Sequence, residues 1–310
     1  MAVRTTGATA KKPAELIIPN ESGLSNAEYS ELLGKLQDIP TLPAVAMRVN
    51  ELINDPNSSS ADIADVLKKD QVLTAKVLRL VNSSYYSIPG GVADVQRALA
   101  FLGFNTLAQL VLSLSIFQVF STGDSGEFSM PEFWKHALGA AVCSELLSKK
   151  LKIGKPEEAF TCGLLHDIGK LVLNEIDPDR LKSIIRETSS GQRSFFEVEK
   201  EWDLPGHSYL GEVIATRWGL PQVIRLSIRY HHHDVSKMDS ILSSAKPMIQ
   251  IVRLANTLCV KNQIGRSGDC SAGEITPDML APLGLKASDI EGLEAQVKLG
   301  IEKAGAFLNV

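Results

Sequence analysis

From Ala98 to Gly123 the chain carries no charged residue. A stretch of that length must leave water, either inside a protein core or in a bilayer. Its centre, 101–120, is rich in Leu, Phe, Val and Ile, as a membrane span of about 20 apolar residues would be. Gly103, Asn105, Thr106, Gln109, Ser113, Ser115 and Gln118 interrupt it. Such interruptions suit a central helix wrapped by other helices better than a span or a membrane-facing hairpin. Wrapping it needs a large core, and 310 residues at 44% apolar and 22% charged supply one.

The flanking sequence has helical rather than strand periodicity. Residues 1–25 read as a flexible tail, and Ser25-x-x-Glu28 has the form of a capping box. Leu32, Leu33 and Leu36, then Val45, Val49, Leu52 and Ile53, recur at helical spacing on either side of Pro40 and Pro43. Two further helices carry Ile63, Val66 and Leu67, and Leu73, Val77, Leu80 and Val81. Pro89-Gly90-Gly91 closes the loop after them. Thr122 to Pro131 is a polar break and the best internal boundary. Helical segments are expected beyond it at 131–151, 156–174, 178–189, 193–203, 205–217, 220–232 and 239–262. A polar, Gly-rich stretch follows from Lys261 to Pro277, then two closing helices, one opening at Thr276-Pro277 and one over 287–307. Alternating strand patterns are few, so the expected fold class is all-α.

A net charge of −4 offers no field for nucleic acid, and none is expected as a partner. Cys143, Cys162, Cys259 and Cys270 form no C-x-x-C pair, which suits a reducing compartment. Met1 to Lys12 is polar and lacks the apolar core of a signal peptide, so a cytoplasmic location is expected.

All six histidines fall between positions 136 and 233. The densest motif is Gly163-Leu164-Leu165-His166-Asp167-Ile168-Gly169-Lys170. On an unbroken helix His166 and Asp167 point about 100° apart. They can still meet one ion at a pocket mouth, or the carboxylate can bridge two. Imidazole with a hard carboxylate suits Fe, Mn, Zn or Mg. Lys170 lies one turn beyond His166, where a cation can pair with a phosphate or a bridging carboxylate. The competing reading is a buried helix with a satisfied His-Asp hydrogen bond.

The His166-Asp167 motif resembles the signature of the HD superfamily of metal-dependent phosphohydrolases. That resemblance implies metal ligands at His136, His166 and Asp167, and a final acidic ligand in 252–258. Similarity to the HD-GYP phosphodiesterases adds Glu132, His207, His231 and His232 as ligands, leaving His233 without a counterpart. Two departures stand out. The final position is Asn256, a neutral and weaker ligand, and no Gly-Tyr-Pro element follows His233.

The closer resemblance is to HDOD, the HD-related output domain of signalling proteins. It rests on Leu36-x-x-Ile39-Pro40-x-Leu42-Pro43, on Ile63-Ala64-x-Val66-Leu67 through Asn82-Ser83, on Ala98 to Gly103, and on His207-x-x-x-Gly211 with Trp218-Gly219-Leu220-Pro221. The resemblance implies an HD-like helical fold with an additional N-terminal helical subdomain. The expected division is a tail over 1–25, an N-terminal helical half over 26–125, an HD-like half with the candidate metal site over 126–265, and an extension over 266–310.

It further implies a regulatory domain acting through signalling proteins in trans, with one or more divalent transition metals, Fe, Mn or Zn, as cofactor. The alternative is a phosphohydrolase or phosphodiesterase in which metal-bound hydroxide attacks phosphorus and Lys170 assists charge neutralisation. Between the two stands a metal held for structure, redox or oxygen sensing without turnover.

Overall fold

In the computed structural model, which describes residues 25–120, 127–189, 193–202, 205–271 and 274–309, the chain is all-helical, with no β-strand among those residues. Residues 1–24 of the expected tail and 122–126 of the boundary at Thr122 lie outside the described residues. The N-terminal half opens with α1 (Asn26–Gln37) and α2 (Ala44–Asn54), separated by the Pro40 to Pro43 segment. Then come α3 (Ser60–Leu67), α4 (Gln71–Val81) and α5 (Val95–Val119). Side chains fix these starts. Ser59 and Asp62 form a capping box on α3, and Asp70 and Asp94 cap α4 and α5. Such caps each contribute about 1 kcal/mol.

The uncharged stretch behaves largely as expected. Residues 98–119 of it lie in α5, which is long and apolar enough to cross a membrane, yet 61% of its most apolar window is buried in the protein. Helices α2, α3 and α4 pack against it. The expected central helix is kinked at Gly103, whose φ of 77° and ψ of 171° break α5 near its first third. A residue with a Cβ adopts that conformation rarely.

The second half comprises α6 (Met130–Leu151), α7 (Pro156–Leu165), α8 (Ile168–Ile176), α9 (Pro178–Thr188), α10 (Phe195–Glu199), α11 (His207–Arg217), α12 (Gln222–Tyr230) and α13 (Lys246–Lys261). Helices α14 (Pro277–Leu280) and α15 (Ser288–Ala304) close the chain, and α15 lies on α6. Three expected segments come out differently. The 156–174 segment is two helices broken at His166 and Asp167. The 193–203 segment keeps only the five residues of α10. The 239–262 segment starts at Lys246, after a 3-10 turn at Val235–Lys237.

One apolar cluster runs through both halves, from Leu36 and Val49 through Leu112 and Phe133 to Val213 and Phe307. The C-terminal end of α11 stitches the halves together. Arg217 Nη1 donates to the Leu36 carbonyl (2.5 Å), and Asn50 Nδ2 donates to the Gly219 carbonyl (2.8 Å). Its N-terminal end is His207.

Candidate metal centre

Two helix crossings assemble the centre, and small residues permit both. At α6 against α7, a Cβ on Gly163 would stand 2.5 Å from the Ala140 carbonyl oxygen. The close approach brings His136 of α6 to His166 at the end of α7, with ring centroids 5.4 Å apart. At α8 against α11, a Cβ on Gly169 would stand 1.7 Å from the His207 carbonyl oxygen, and Gly211 completes that contact. His207 thereby sits directly over Asp167. His231, at the end of α12, and His232 follow on the same side.

The break in the His-Asp motif decides how Asp167 is presented. Its φ of −100° and ψ of 10° end α7 and turn its carboxylate into the interior. Oδ1 lies 3.3 Å from His207 Nε2 and 3.4 Å from His231 Nε2. Oδ2 lies 3.4 Å from His166 Nε2 and 3.9 Å from His136 Nε2. One carboxylate thus faces two nests of imidazole, His207, His231 and His232 on one side and His136 and His166 on the other. Each nest with Asp167 brings its ligating atoms within 4.8 Å of one another. Asp167, His166 and His207 are fully buried, and His136 and His231 nearly so.

The hydrogen bonds behind the rings test whether metal fits. His166 Nδ1 donates to the Gly163 carbonyl (2.7 Å) and His231 Nδ1 to the Ile228 carbonyl (2.8 Å). His136 Nδ1 faces the Ile264 carbonyl at 3.3 Å, and His207 Nδ1 meets Glu199 at 2.8 Å. With the proton on Nδ1, each Nε2 presents a lone pair inward. His166 Nε2 and Asp167 Oδ1 find no hydrogen-bond partner. His207 Nε2 lies 3.4 Å from His231 Nε2 and 3.1 Å from His232 Nε2. Lone pairs gathered so closely repel unless a cation stands between them. Backbone and carboxylate acceptors behind inward imidazoles are the outer layer of metal sites. The donor set fits divalent metal on both sides of Asp167.

Electrostatics favour neutral rings at His136, His231 and His232. Burial, helped by the neighbouring His166, lowers His136 to about 3. Burial lowers His231 to about 4 and holds His232 well below its ordinary value. His207 goes the other way: burial opposes its charge, but the Glu199 carboxylate and the hydrogen bonds to Asp167 and Glu199 together outweigh that and raise it. Burial likewise opposes charge on Asp167, but Lys170 together with the facing rings of His166 and His207 outweighs it, so the carboxylate is held well below its usual range.

Most of the residues singled out in the sequence meet here. Asn256 is buried with Oδ1 3.1 Å from His136 Nε2, at the edge of the second nest. Lys170 Nζ donates to Asp167 Oδ2 (2.8 Å) and Ser267 Oγ (3.2 Å) and lies 4.6 Å from the Phe195 ring. Glu132 requires a correction. It stands outside both groups of ligating atoms, with its side chain 43% exposed and 4.0 Å from Lys135. Spacing put Glu132 on the face of His136, but residues 264–267 occupy that place. Arg266 N donates to the Glu132 carbonyl (2.9 Å), and Gly265 rests on the His136 backbone. His233 also stays outside, its ring edge-on to Phe196.

Sequence reasoning missed Glu199, Ser267 and Asp269. Glu199 is buried and accepts from both the backbone N and Nδ1 of His207. Ser267 and Asp269 come from the stretch that looked like an ordinary polar loop. No local pattern marks them, because each reaches the centre through tertiary packing. Beside the cluster opens a cleft of about 530 Å³, with His231, His232 and Asn256 in its lining.

The profile of the HDOD domain matches residues 39–234 of this chain. The chain belongs to the HDOD family. Solved structures agree with the fold. An HDOD domain protein of unknown function from Geobacter sulfurreducens superposes with a TM-score of 0.69 at 24% identity, covering 86% of each chain. A Shewanella amazonensis SB2B protein, named provisionally as a phosphohydrolase, gives 0.68 at 25% identity over 89% of this chain and 97% of that one. An uncharacterized protein of Treponema pallidum is 24% identical over 239 residues, 73% of this HDOD chain. The match spans only 43% of the Treponema protein's own length.

Proposed function

We propose that this HDOD chain is a regulatory domain that holds divalent transition metal, Fe, Mn or Zn, at Asp167 and the surrounding histidines, and acts through a signalling protein in trans rather than through turnover. The observation that carries this reading is the state of the one carboxylate among the ligating groups: Asp167 Oδ2 is bound by buried Lys170. At the edge of the second nest, Asn256 offers an amide where the HD resemblance implies a second carboxylate. A hydrolytic centre must also hold a nucleophilic water and relay its proton. Here the carboxylate best placed for that is engaged in an ion pair.

When bound, metal would supply Lewis-acidic charge, held by Asp167 and the surrounding histidines. The chain's own part is to aim the Nε2 atoms of His136, His166, His207 and His231 at Asp167, and to fix His207 through Glu199. Lys170 keeps Asp167 ionised while the nests are being filled.

The test is elemental analysis of anaerobically purified protein together with phosphodiester and phosphomonoester hydrolysis assays. One or two transition metals per chain, with hydrolysis no faster than the free metal gives, is the expected result. His166→Ala with Asp167→Ala should abolish the metal and leave far-UV circular dichroism helical. Metal-free native protein would sink the proposal. Enzyme-like turnover with Fe or Mn would transfer it to the phosphohydrolase reading, which the cleft beside His231 and His232 favours.

A further inference from the structure

Four of the five rings in the two nests are held from behind. His136, His166 and His231 have backbone carbonyls at Nδ1, and His207 has Glu199 there. Such an acceptor is what normally sets the orientation of a ligating imidazole. His232 lacks one: among the described residues no hydrogen-bond acceptor stands behind its Nδ1, and its ring meets only His207 Nε2, at 3.1 Å. It is also the one histidine of the two nests that stays partly open to solvent.

What holds His232 instead is another ring. Phe196 lies flat on it, with centroids 4.5 Å apart and planes 13° apart. Lys200 Nζ stands 4.0 Å over the Phe196 ring, and His233 meets that ring edge-on at 5.2 Å. Phe196 belongs to α10, which reaches the same nest twice more. Phe195 is edge-on to His207 at 5.4 Å, and Glu199 accepts from both the backbone N and Nδ1 of His207. A hydrogen bond fixes one atom in distance and angle, whereas a stack fixes only the plane of a ring. The grip on His232 is therefore less directional than the grip on the other four rings. It also lies at the cleft, which His232 and Phe196 both line.

We propose that His232 is the exchangeable ligand of this nest and that Phe196 is the positioning residue that keeps it in place. The His232 ring swings aside to open the path between the cleft and Asp167, and the Phe196 stack sets how often it does so. Asp167, His207 and His231 remain as ligands while the path is open. The inference rests on the metal reading above and goes beyond it, to the route of entry and the side chain that controls exchange. A stacked aromatic pair is worth roughly two- to tenfold in an equilibrium constant, which sets the size of the effect.

The test is release of cobalt(II) to excess chelator from the cobalt-loaded full chain, followed by visible absorption. His231→Ala identifies the release phase of this nest by removing it. Phe196→Leu is expected to speed that phase roughly two- to tenfold, and Phe196→Tyr, which keeps the ring, to retain the native rate. His232→Ala should keep cobalt on the three remaining ligands, change its visible bands because a nitrogen leaves the ion, and release it at least as fast as Phe196→Leu. Adding Phe196→Leu to His232→Ala should speed release no further, because Phe196 acts only through His232. A native release rate in Phe196→Leu overturns the inference, and so does equal acceleration in Phe196→Tyr. Further acceleration in the double variant overturns it too, since Phe196 would then be a general packing residue. The His232→Ala arm decides the matter even where Phe196→Leu does not fold: complete loss of cobalt, or visible bands left untouched, overturns the inference. A native chain that takes up no cobalt sinks the metal reading and this inference with it. A cobalt-loaded chain that fails the variant tests sinks this inference alone.

Discussion

Lys170 Nζ lies 2.8 Å from Asp167 Oδ2, and neither side chain is exposed to solvent. Between them they make a buried ion pair at the heart of the histidine cluster. The pair stabilises a carboxylate that burial alone would push toward its neutral form. Metal would provide the same charge from a different direction.

Replacing Lys170 with Met should therefore separate folding from metal binding. Removing one member of a buried pair costs about 3–5 kcal/mol. The full loss is expected in chelator-treated protein, measured by urea unfolding, and a much smaller one after metal is restored. An equal loss in both states would mean that the pair is structural and independent of any metal.

Glu199 accepts from His207 Nδ1 at 2.8 Å and holds the ring with Nε2 toward Asp167. Glu199→Gln keeps the shape but weakens that hold. Loss of such an outer partner lowers metal affinity by about 10- to 100-fold. Competition against a metallochromic chelator should read this out, with the helical signal unchanged. Affinity equal to native would remove Glu199 from the centre.

Gly169 leaves no room for a side chain between α8 and α11, since its Cβ would meet the His207 carbonyl at 1.7 Å. Gly169→Ala must push the helices apart, at a cost of about 3 kcal/mol from overpacking. The separation moves Asp167 away from His207, so metal affinity should fall together with the thermal midpoint. A stable variant with native metal affinity would contradict the crossing geometry.

The pH dependence of the metal-free chain follows from the depressed histidines. His136 at about 3 and His231 at about 4 stay neutral in the folded state, as does His232, while the unfolded chain takes up protons near 6.5. The folded state binds fewer protons, so stability is full above about pH 6.5 and falls as pH drops toward 4. Each proton taken up on unfolding contributes about 1.4 kcal/mol per pH unit. His207, raised by Glu199, opposes this as a single group against three. Thermal midpoints measured from pH 7.5 to 5 should therefore decline. A midpoint that rises on acidification would show these histidines to be protonated in the fold.

Helix content, the burial of the uncharged stretch and the gathering of histidines in one half were legible in the sequence, because each follows from local spacing and composition. Thr276-Pro277 marks a helix start in the sequence, and it does so in the structure. The identity of the imidazole set was legible too, through His136, His166, His207, His231 and His232. What only tertiary structure decided is which groups meet. Glu132 shares a helix face with His136 by spacing, yet the 264–267 segment lies there instead. The break at Asp167 gives its two oxygens to two different nests, which an unbroken helix would not. Glu199 and Ser267 acquire their places from helices and loops far away in the chain. Side-chain phase along one helix is set by neighbours a turn away. The distance between helices is set by packing across the core, where a missing Cβ at Gly163 or Gly169 counts for more than any motif.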